Sequence, residues 1–318
     1  MWISPYKYVL SLGHLCSDIN QSILSAVLPF LIATYHYDYT TAAMLVTVSN
    51  VFGAFVQPFI GMLSDKKNKL LYMTLGVLLA SGGMAVTGFI SNFFGLCIVV
   101  IISGIGVVMF HPQAAKLVNS VSSKNAKGKG MSIFSFGGKV GFTLGPVYTA
   151  FLMNLFGMKG TILFLIPGIV FGIVCSFFNK DFENLDVLEV EKKEEVKSEQ
   201  KDDWSGFIKL CGVVFSRSIL SNGISTFLAF YFIQQFSKSN SFASMLLSVF
   251  YGIGSITLLG GGIADCFGHR KMVRLSFCIF LPAIFIFTNT SHFVIALIML
   301  IFMTCGESLS YSPMVVLG

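Results

Sequence analysis

A short sequence pattern occurs twice in this chain, and the second copy begins 200 residues after the first. In each copy an apolar run ends at a glycine, an aspartate follows four residues later, and a basic cluster comes next: Gly61, Asp65 and 66–69 in the first copy, and Gly261, Asp265 and 269–271 in the second. Each copy lies where one hydrophobic segment ends and another begins. The matched spacing favours a chain built from two related halves over a chance recurrence of basic loops.

The composition is typical of a membrane protein. Of the 318 residues, 54% are apolar and only 11% are charged, and the mean hydropathy is +0.79. Soluble domains carry about 25% charged residues, so the lipid bilayer is an expected partner. The net charge of +6 follows the membrane topology and indicates no nucleic-acid partner. The seven cysteines are scattered without the spacing of metal ligands, so we expect no metal site.

Ten apolar segments have the length of a membrane crossing, which takes about 20 residues. They run at about 8–32, 41–63, 70–90, 94–116, 131–154, 160–178, 207–235, 242–263, 273–289 and 293–315. The connections alternate in charge, since basic clusters fall on one side and the other side has only Lys159 and Lys238. The positive-inside rule therefore predicts a multi-pass protein of the cell membrane, with a cytoplasmic N-terminus.

One long polar stretch, 180–203, separates six of these segments from the other four. It contains ten acidic and five basic residues, which favours a solvated cytoplasmic linker; a helix on the membrane surface is the alternative. The predicted organisation is a six-helix transmembrane bundle at 1–179, the linker at 180–203 and a second bundle at 204–318.

The second bundle has four segments where a repeat of the first would have six. We therefore expect a chain truncated at the C-terminus, lacking two spans or roughly 70–90 residues. A genuine ten-span protein is the alternative. If the chain is truncated, it is expected to be inactive or unstable when expressed as it stands.

Three further motifs carry a family resemblance. They are Gly-His-Leu-Cys-Ser-Asp at 13–18 in segment one, Phe-His-Pro at 110–112 in segment four, and the run at 132–146 in segment five. Together with the two junctions, these motifs resemble the major facilitator superfamily, and within it the fosmidomycin-resistance group of drug exporters. The resemblance implies an all-α membrane fold of two bundles, with six spans and then an incomplete second half of about four. It also implies that spans one, four, seven and ten line a central cavity.

The repeated junction has the chemistry of a conformational latch. Gly61 and Gly261 have no side chain, so a helix from the other half could approach there. Asp65 and Asp265 can accept hydrogen bonds from the free N–H groups at the start of the next helix. Arg270, like the other basic residues beside them, can meet anionic headgroups. The alternative is that the junctions only set the topology.

Segment five contains a glycine-rich run that ends in a proline. Gly141 and Gly145 clear one face of the helix for close packing. Pro146 removes a backbone donor, so we expect a helix kink there, and we expect the same of Pro112 in segment four. In its position, fifth of six, the Gly-x-x-x-Gly-Pro pattern resembles a motif of superfamily antiporters.

Few ionisable residues lie deep in the apolar segments, because a charge at the bilayer centre costs about 3 kcal/mol. Asp18, His111, Arg217 and Glu307 fall one on each of the four cavity spans that the resemblance implies, and Lys139 lies in span five. We assign all five to the substrate and proton pathway. Asp18 can bind and release a proton, His111 can share it, and Arg217 suits a phosphonate, phosphate or carboxylate.

Purely structural roles are the alternative for several of these residues. Asp18 and Arg217 could instead belong to a structural ion pair, and His111 could satisfy the backbone group that Pro112 leaves without a donor. His14 and Gln21 are further candidates for lining the cavity.

No enzyme motif and no nucleotide-binding loop is found in the sequence, so we expect no enzyme, no cofactor and no ATP-driven transport. The predicted function is that of a monomeric secondary transporter, in a bacterial membrane, whose partners are protons and a small molecule. It would export a small drug or anionic metabolite in exchange for protons. An importer of organic anions or sugar phosphates, and a non-transporting remnant, are the alternatives.

Overall fold

The computed structural model describes residues 6–64, 69–121, 127–178, 204–256 and 268–309. These ranges contain ten α-helices, numbered in chain order, and no strand. The helices are α1 (Tyr6–Tyr35), α2 (Tyr39–Ser64), α3 (Lys69–Ala85), α4 (Phe93–Ser120), α5 (Lys127–Phe156), α6 (166–178), α7 (Trp204–Phe236), α8 (Asn240–Ile256), α9 (His269–Asn289) and α10 (Phe293–Leu309).

These helices agree with the ten predicted spans. Seven helical stretches among the described residues are long and apolar enough to cross a membrane, and one of them, Gly130–Phe178, covers the predicted fifth and sixth spans together. The 17-residue helices α8 and α10 account for the other two. The predicted all-α membrane fold is confirmed, and the protein is a multi-pass membrane protein.

The start of the sixth span differs from the prediction. Residues Gly157–Leu165 form a 3₁₀ helix, and α6 begins only after it. Gly157 has a φ of 57°, a left-handed conformation that glycine adopts without steric cost. This residue ends α5 and lets the chain turn.

The chain divides into two compact units, Met1–Lys197 and Ser198–Gly318. The predicted linker at 180–203 lies outside the described residues. Each unit is described by itself below.

Unit 1 is built around α1, because most of its side chains are buried whereas most of those of α2 are not. The main neighbour of α1 is α5, and glycines on α5 make their approach close. A Cβ on Gly137 would clash with the carbonyl oxygen of Ser11, and a Cβ on Gly141 would clash with that of Leu15. A Cβ on Gly145 would clash with a serine hydroxyl of α1. Glycine at every fourth position therefore lets the two backbones meet, as small residues do between membrane helices.

Aromatic rings pack α4 and α6 against α1. Phe110 and Phe171 are fully buried, and their ring centroids lie 5.8 Å apart in an edge-to-face arrangement. Both rings cover Gly13 of α1, where a Cβ would lie 2.6 Å from Phe171 and 2.7 Å from Phe110. The position of α1 is thus fixed from three sides, by α4, α5 and α6.

Unit 2 is held mainly by α9 against α10. A Cβ on Gly306 of α10 would lie 2.9 Å from the backbone nitrogen of Phe280 on α9. Helix α7 joins them through Tyr231, whose hydroxyl donates to the carbonyl oxygen of Phe287 at 2.6 Å. The rings of Tyr231 and Phe287 also lie 4.5 Å apart.

Many large apolar side chains lie on the surface of the helices. On α2, the side chains of Phe52, Phe55 and Phe59 are all exposed. Exposed aromatic side chains in such numbers would be a liability in water, and they suit contact with lipid.

Candidate functional site

The buried carboxylate of Asp18 lies between two imidazoles in unit 1. Oδ2 is 3.2 Å from Nε2 of His14, and Oδ1 is 3.2 Å from Nε2 of His111. Asp18 is only 3% exposed. The two histidine rings meet edge to face, with their centroids 5.0 Å apart. We call these three residues the Asp18 triad.

Two helices bring the triad together. His14 and Asp18 are one turn apart on α1, and side chains with this spacing lie on the same helix face. His111 comes from α4, beside the buried Phe110 that packs on α1. The side chain of His111 is 31% exposed and that of Asp18 is 4% exposed, so the triad is reached from the His111 side.

The backbone of α5 fixes the orientation of His14. Its Nδ1 lies 2.8 Å from the carbonyl oxygen of Phe134, and its ring stacks on the Phe134 ring with the centroids 4.0 Å apart. A carbonyl oxygen only accepts hydrogen bonds, so Nδ1 carries the proton and donates it. His14 therefore turns its other nitrogen, Nε2, towards Asp18.

Gly138 makes room for this arrangement. A Cβ at this position would lie 2.5 Å from Oδ2 of Asp18 and 2.6 Å from Cε1 of His14. No real Cβ approaches other atoms so closely, so any larger residue here would displace the pair. Sequence reasoning did not assign Gly138 or Phe134 to the site.

The remaining predicted residues of unit 1 surround the triad or lie apart from it. Lys139 lies on α5, the helix whose backbone binds His14. Gln21, also on α1, is exposed and is not part of the triad. Asn20 was missed: it is fully buried and donates to Ser81 Oγ on α3 at 2.8 Å.

Pro112 and Pro146 both lie inside helices, α4 and α5, which continue through them. The kinks predicted at these residues stay predictions. Gly141 and Gly145 face α1 in the close packing described above.

In unit 2, Arg217 of α7 is paired with Glu307 of α10. Nη2 of Arg217 donates to Oε1 of Glu307, and both side chains are largely buried. The second carboxylate oxygen, Oε2, accepts a hydrogen bond from Ser308 Oγ at 3.2 Å. A small pocket beside the pair is lined by Leu220, Ser276, Phe277, Phe280 and Gly306. The site thus joins a cation and an anion to an apolar, partly aromatic wall.

Only part of the predicted latch lies within the described residues. Asp65, Gly261 and Asp265 lie outside the described residues. A Cβ on Gly61 would meet no described atom within 4 Å, and Arg270 is exposed at the start of α9. The latch therefore stays a prediction.

Two bacterial proteins have sequences similar to most of this chain. Fosmidomycin resistance protein of Escherichia coli (strain K12) is 22% identical over 269 residues, which are 83% of this chain and 66% of that protein. The uncharacterized MFS-type transporter YfnC of Bacillus subtilis (strain 168) is 24% identical over 278 residues, 85% of this chain and 68% of that protein. The chain thus spans about two thirds of the length of these relatives.

Solved structures resemble the chain over nearly all its length. A bacterial homolog of the human lysosomal transporter Spinster, in an inward-facing and occupied conformation, has a TM-score of 0.79 at 17% identity and covers 98% of this chain and 74% of its own. The xylose transporter XylE from E. coli, in an inward-open conformation, has a TM-score of 0.76 at 15% identity and covers 98% and 81%. At these identities the likeness shows the fold.

The family itself is shown by the sequence. Residues 10–318 match the family model described as Major Facilitator Superfamily. This is a superfamily of transporters and not of enzymes. The chain belongs to the Major Facilitator Superfamily.

Proposed function

We propose that this chain belongs to a proton-coupled secondary transporter that exports a small anionic compound, with a phosphonate drug as its model substrate, from a bacterial cell. The observation that carries the proposal is the contact between Asp18 and His14. Its proton requirement follows from the hydrogen bond that His14 makes to the backbone of α5.

The His14–Asp18 contact needs a proton to be attractive. Because Nδ1 of His14 donates to Phe134, a neutral His14 presents the Nε2 lone pair to Asp18. An ionised Asp18 would then place two electron-rich atoms 3.2 Å apart in a buried site. One proton, on Nε2 or on the carboxylate, removes this repulsion. Gain or loss of that proton therefore favours two different arrangements of α1, α4 and α5, as alternating access coupled to protons requires.

The Arg217–Glu307 pair supports an anionic substrate. Arginine binds carboxylates and phosphonates through a planar fork of donors, and here Nη2 of Arg217 donates to Glu307. An anionic substrate would compete with Glu307 for the guanidinium, next to the apolar side chains that lie beside the pair. Fosmidomycin, named in one relative, is a phosphonate and so a suitable probe.

Export is the preferred direction because relatives of this chain are a fosmidomycin resistance protein and the multi-drug resistance efflux pump PmrA of Streptococcus pneumoniae, 27% identical over 148 residues. The same two sites would serve an importer of organic anions equally well. Direction is therefore decided by experiment.

Everted membrane vesicles separate these possibilities. Vesicles from cells that express the native gene are energised to an acidic interior, and fosmidomycin is added outside. An exporter that exchanges drug for protons releases protons from the vesicle, and drug accumulates inside. A symporting importer carries drug and protons together out of the vesicle interior. Drug added outside such vesicles therefore causes no release of protons. Absence of any drug-dependent proton movement rejects the coupling.

Orientation is tested with the same cells. Ser91, exposed in the connection between α3 and α4, should lie outside the cell if the N-terminus is cytoplasmic. A Ser91→Cys variant is expected to react with a membrane-impermeant maleimide in intact cells, with the parent protein as the background control. Labelling that requires permeabilised cells rejects this orientation.

A further inference from the structure

We propose that His14, Asp18 and His111 form a binding site for a divalent transition-metal ion, with Zn²⁺ as the best match. The ion would occupy the space in which the proposed function places a proton, so proton and metal exclude each other there. The inference stands on the geometry of the three side chains and needs neither the substrate nor the direction of transport.

The ligand atoms have suitable chemistry and spacing. One atom from each of the three residues can be chosen so that all lie within 4.8 Å of one another. Zinc binds imidazole nitrogen and carboxylate oxygen at about 2.0–2.1 Å in tetrahedral geometry, which places two ligand atoms about 3.4 Å apart. The separations of His14 Nε2 from Oδ2 and of His111 Nε2 from Oδ1 are each 3.2 Å, close to that value, and each histidine faces a different oxygen of the carboxylate. Two histidines and one carboxylate leave a fourth position for water or a substrate atom.

The hydrogen bond of His14 to Phe134 is the support that a metal-bound histidine usually has. Such a histidine donates its other ring N–H to a backbone carbonyl or a carboxylate, which fixes the tautomer and aims the free nitrogen at the ion. Here Nδ1 donates to the Phe134 carbonyl at 2.8 Å. The neutral tautomer that this bond selects directs the Nε2 lone pair towards Asp18.

One oxygen of the Asp18 carboxylate also lacks a well-directed hydrogen bond. Oδ1 of Asp18 is buried and accepts no well-directed hydrogen bond from the described residues, although His111 Nε2 is 3.2 Å away. A buried polar atom without a hydrogen bond is costly, and a cation bound between the rings would satisfy it. His111, partly exposed, gives an entry path. Lys139 is the opposing positive charge and weakens the site.

The experiment uses protein purified in detergent from the native gene and stripped of metal with a chelator. Zn²⁺ binding is measured by calorimetry, and Co²⁺ serves as a spectroscopic probe. We expect one Zn²⁺ per chain with an affinity reduced at least tenfold in His111→Gln and unchanged in His292→Gln, an exposed histidine outside the triad. Equal affinity in the two variants, or no binding by the parent protein, overturns the site.

The seven cysteines could bind zinc in place of the triad. X-ray absorption of the zinc-loaded parent protein shows whether they do, and it needs no variant. The expected first shell contains only nitrogen and oxygen, with the outer-shell scattering of two imidazoles. A shell with sulfur contradicts the proposal. The vesicle assay of the proposed function is run with chelator present, so that loss of proton coupling and loss of metal binding are separate results.

Discussion

Oδ2 of Asp18 lies 3.2 Å from Nε2 of His14, one helical turn earlier on the same helix. This contact alone does not define a protonation state. The backbone carbonyl of Phe134 on α5 does, because it takes the Nδ1 proton of His14 and leaves Nε2 to face the carboxylate. A side-chain pair on one helix is thus made sensitive to the position of another helix.

Replacing Asp18 by asparagine keeps the size of the side chain and removes its charge. We expect Asp18→Asn to reach the membrane in normal amounts and to lose drug-dependent proton movement in everted vesicles. The reason is that an amide side chain does not bind and release a proton near neutral pH.

The matched control for that variant is Asp38→Asn. Asp38 is exposed and accepts a hydrogen bond from the backbone N–H of Thr41 at 2.9 Å. Hydrogen bonds from Thr41 lower the pKa of this carboxyl, so it is ionised at neutral pH. Asparagine caps a helix equally well, and unchanged coupling is expected. Equal loss in both variants would show a general effect of lost charge.

Gly138→Ala is expected to disturb the triad directly, because the new methyl group would lie 2.5 Å from Asp18 Oδ2. Overpacking of this kind costs about 1–3 kcal/mol, so both the melting temperature in detergent and the proton coupling should fall. Gly82→Ala on α3, where the new Cβ would have no steric clash, should leave the proton coupling unchanged and should not lower the melting temperature. A normal melting temperature and normal coupling in Gly138→Ala would contradict the geometry.

Glycine-to-alanine substitutions on α6 and on the α1-facing side of α5 are expected to change the thermal stability in opposite directions. Alanine is favoured over glycine in a helix by about 1 kcal/mol, and Gly172→Ala on α6 should show this gain, since its Cβ would meet Thr74 at 3.8 Å. Gly141→Ala should instead destabilise the protein, because its Cβ would clash with the Leu15 carbonyl oxygen. Thermal unfolding in detergent measures both. Stabilisation by both substitutions would mean that α1 and α5 are not packed closely.

Arg217 and Glu307 are expected to behave as a coupled pair. Removing one partner leaves the other charge largely buried, at a cost of about 3–5 kcal/mol, whereas removing both is often nearly neutral. Arg217→Met and Glu307→Met should each lower the melting temperature, and the double variant should be closer to the parent. Additive losses would show that the two residues act independently.

Much of this structure could be predicted from the sequence. Hydropathy located the ten helices, because a membrane span needs a long uninterrupted apolar run. The cost of burying charge identified Asp18, His111, Arg217 and Glu307. The sequence could not say which of them meet: Arg217 is paired with Glu307 of the same unit, and Asp18 with two histidines.

Other parts of the site had little or no sequence signal. The Phe134 carbonyl is a backbone group, so no residue type announces its role. Gly138 could have been found, because it lies beside Gly137, Gly141 and Gly145 in a run of glycines that predicts close packing. The expectation of no metal site considered cysteine spacing, whereas the triad joins residues from α1 and α4 that are distant in the chain.

Proton release on ligand binding tests the central claim most directly. Purified protein in weakly buffered detergent solution is titrated with fosmidomycin, and the released protons are measured by a pH indicator at constant chelator. The account predicts release of about one proton per bound ligand, because drug–proton exchange couples ligand binding to loss of the proton from the Asp18 triad, and it predicts no release from Asp18→Asn. Ligand binding without proton release in the parent protein, or equal release from Asp18→Asn, would contradict it.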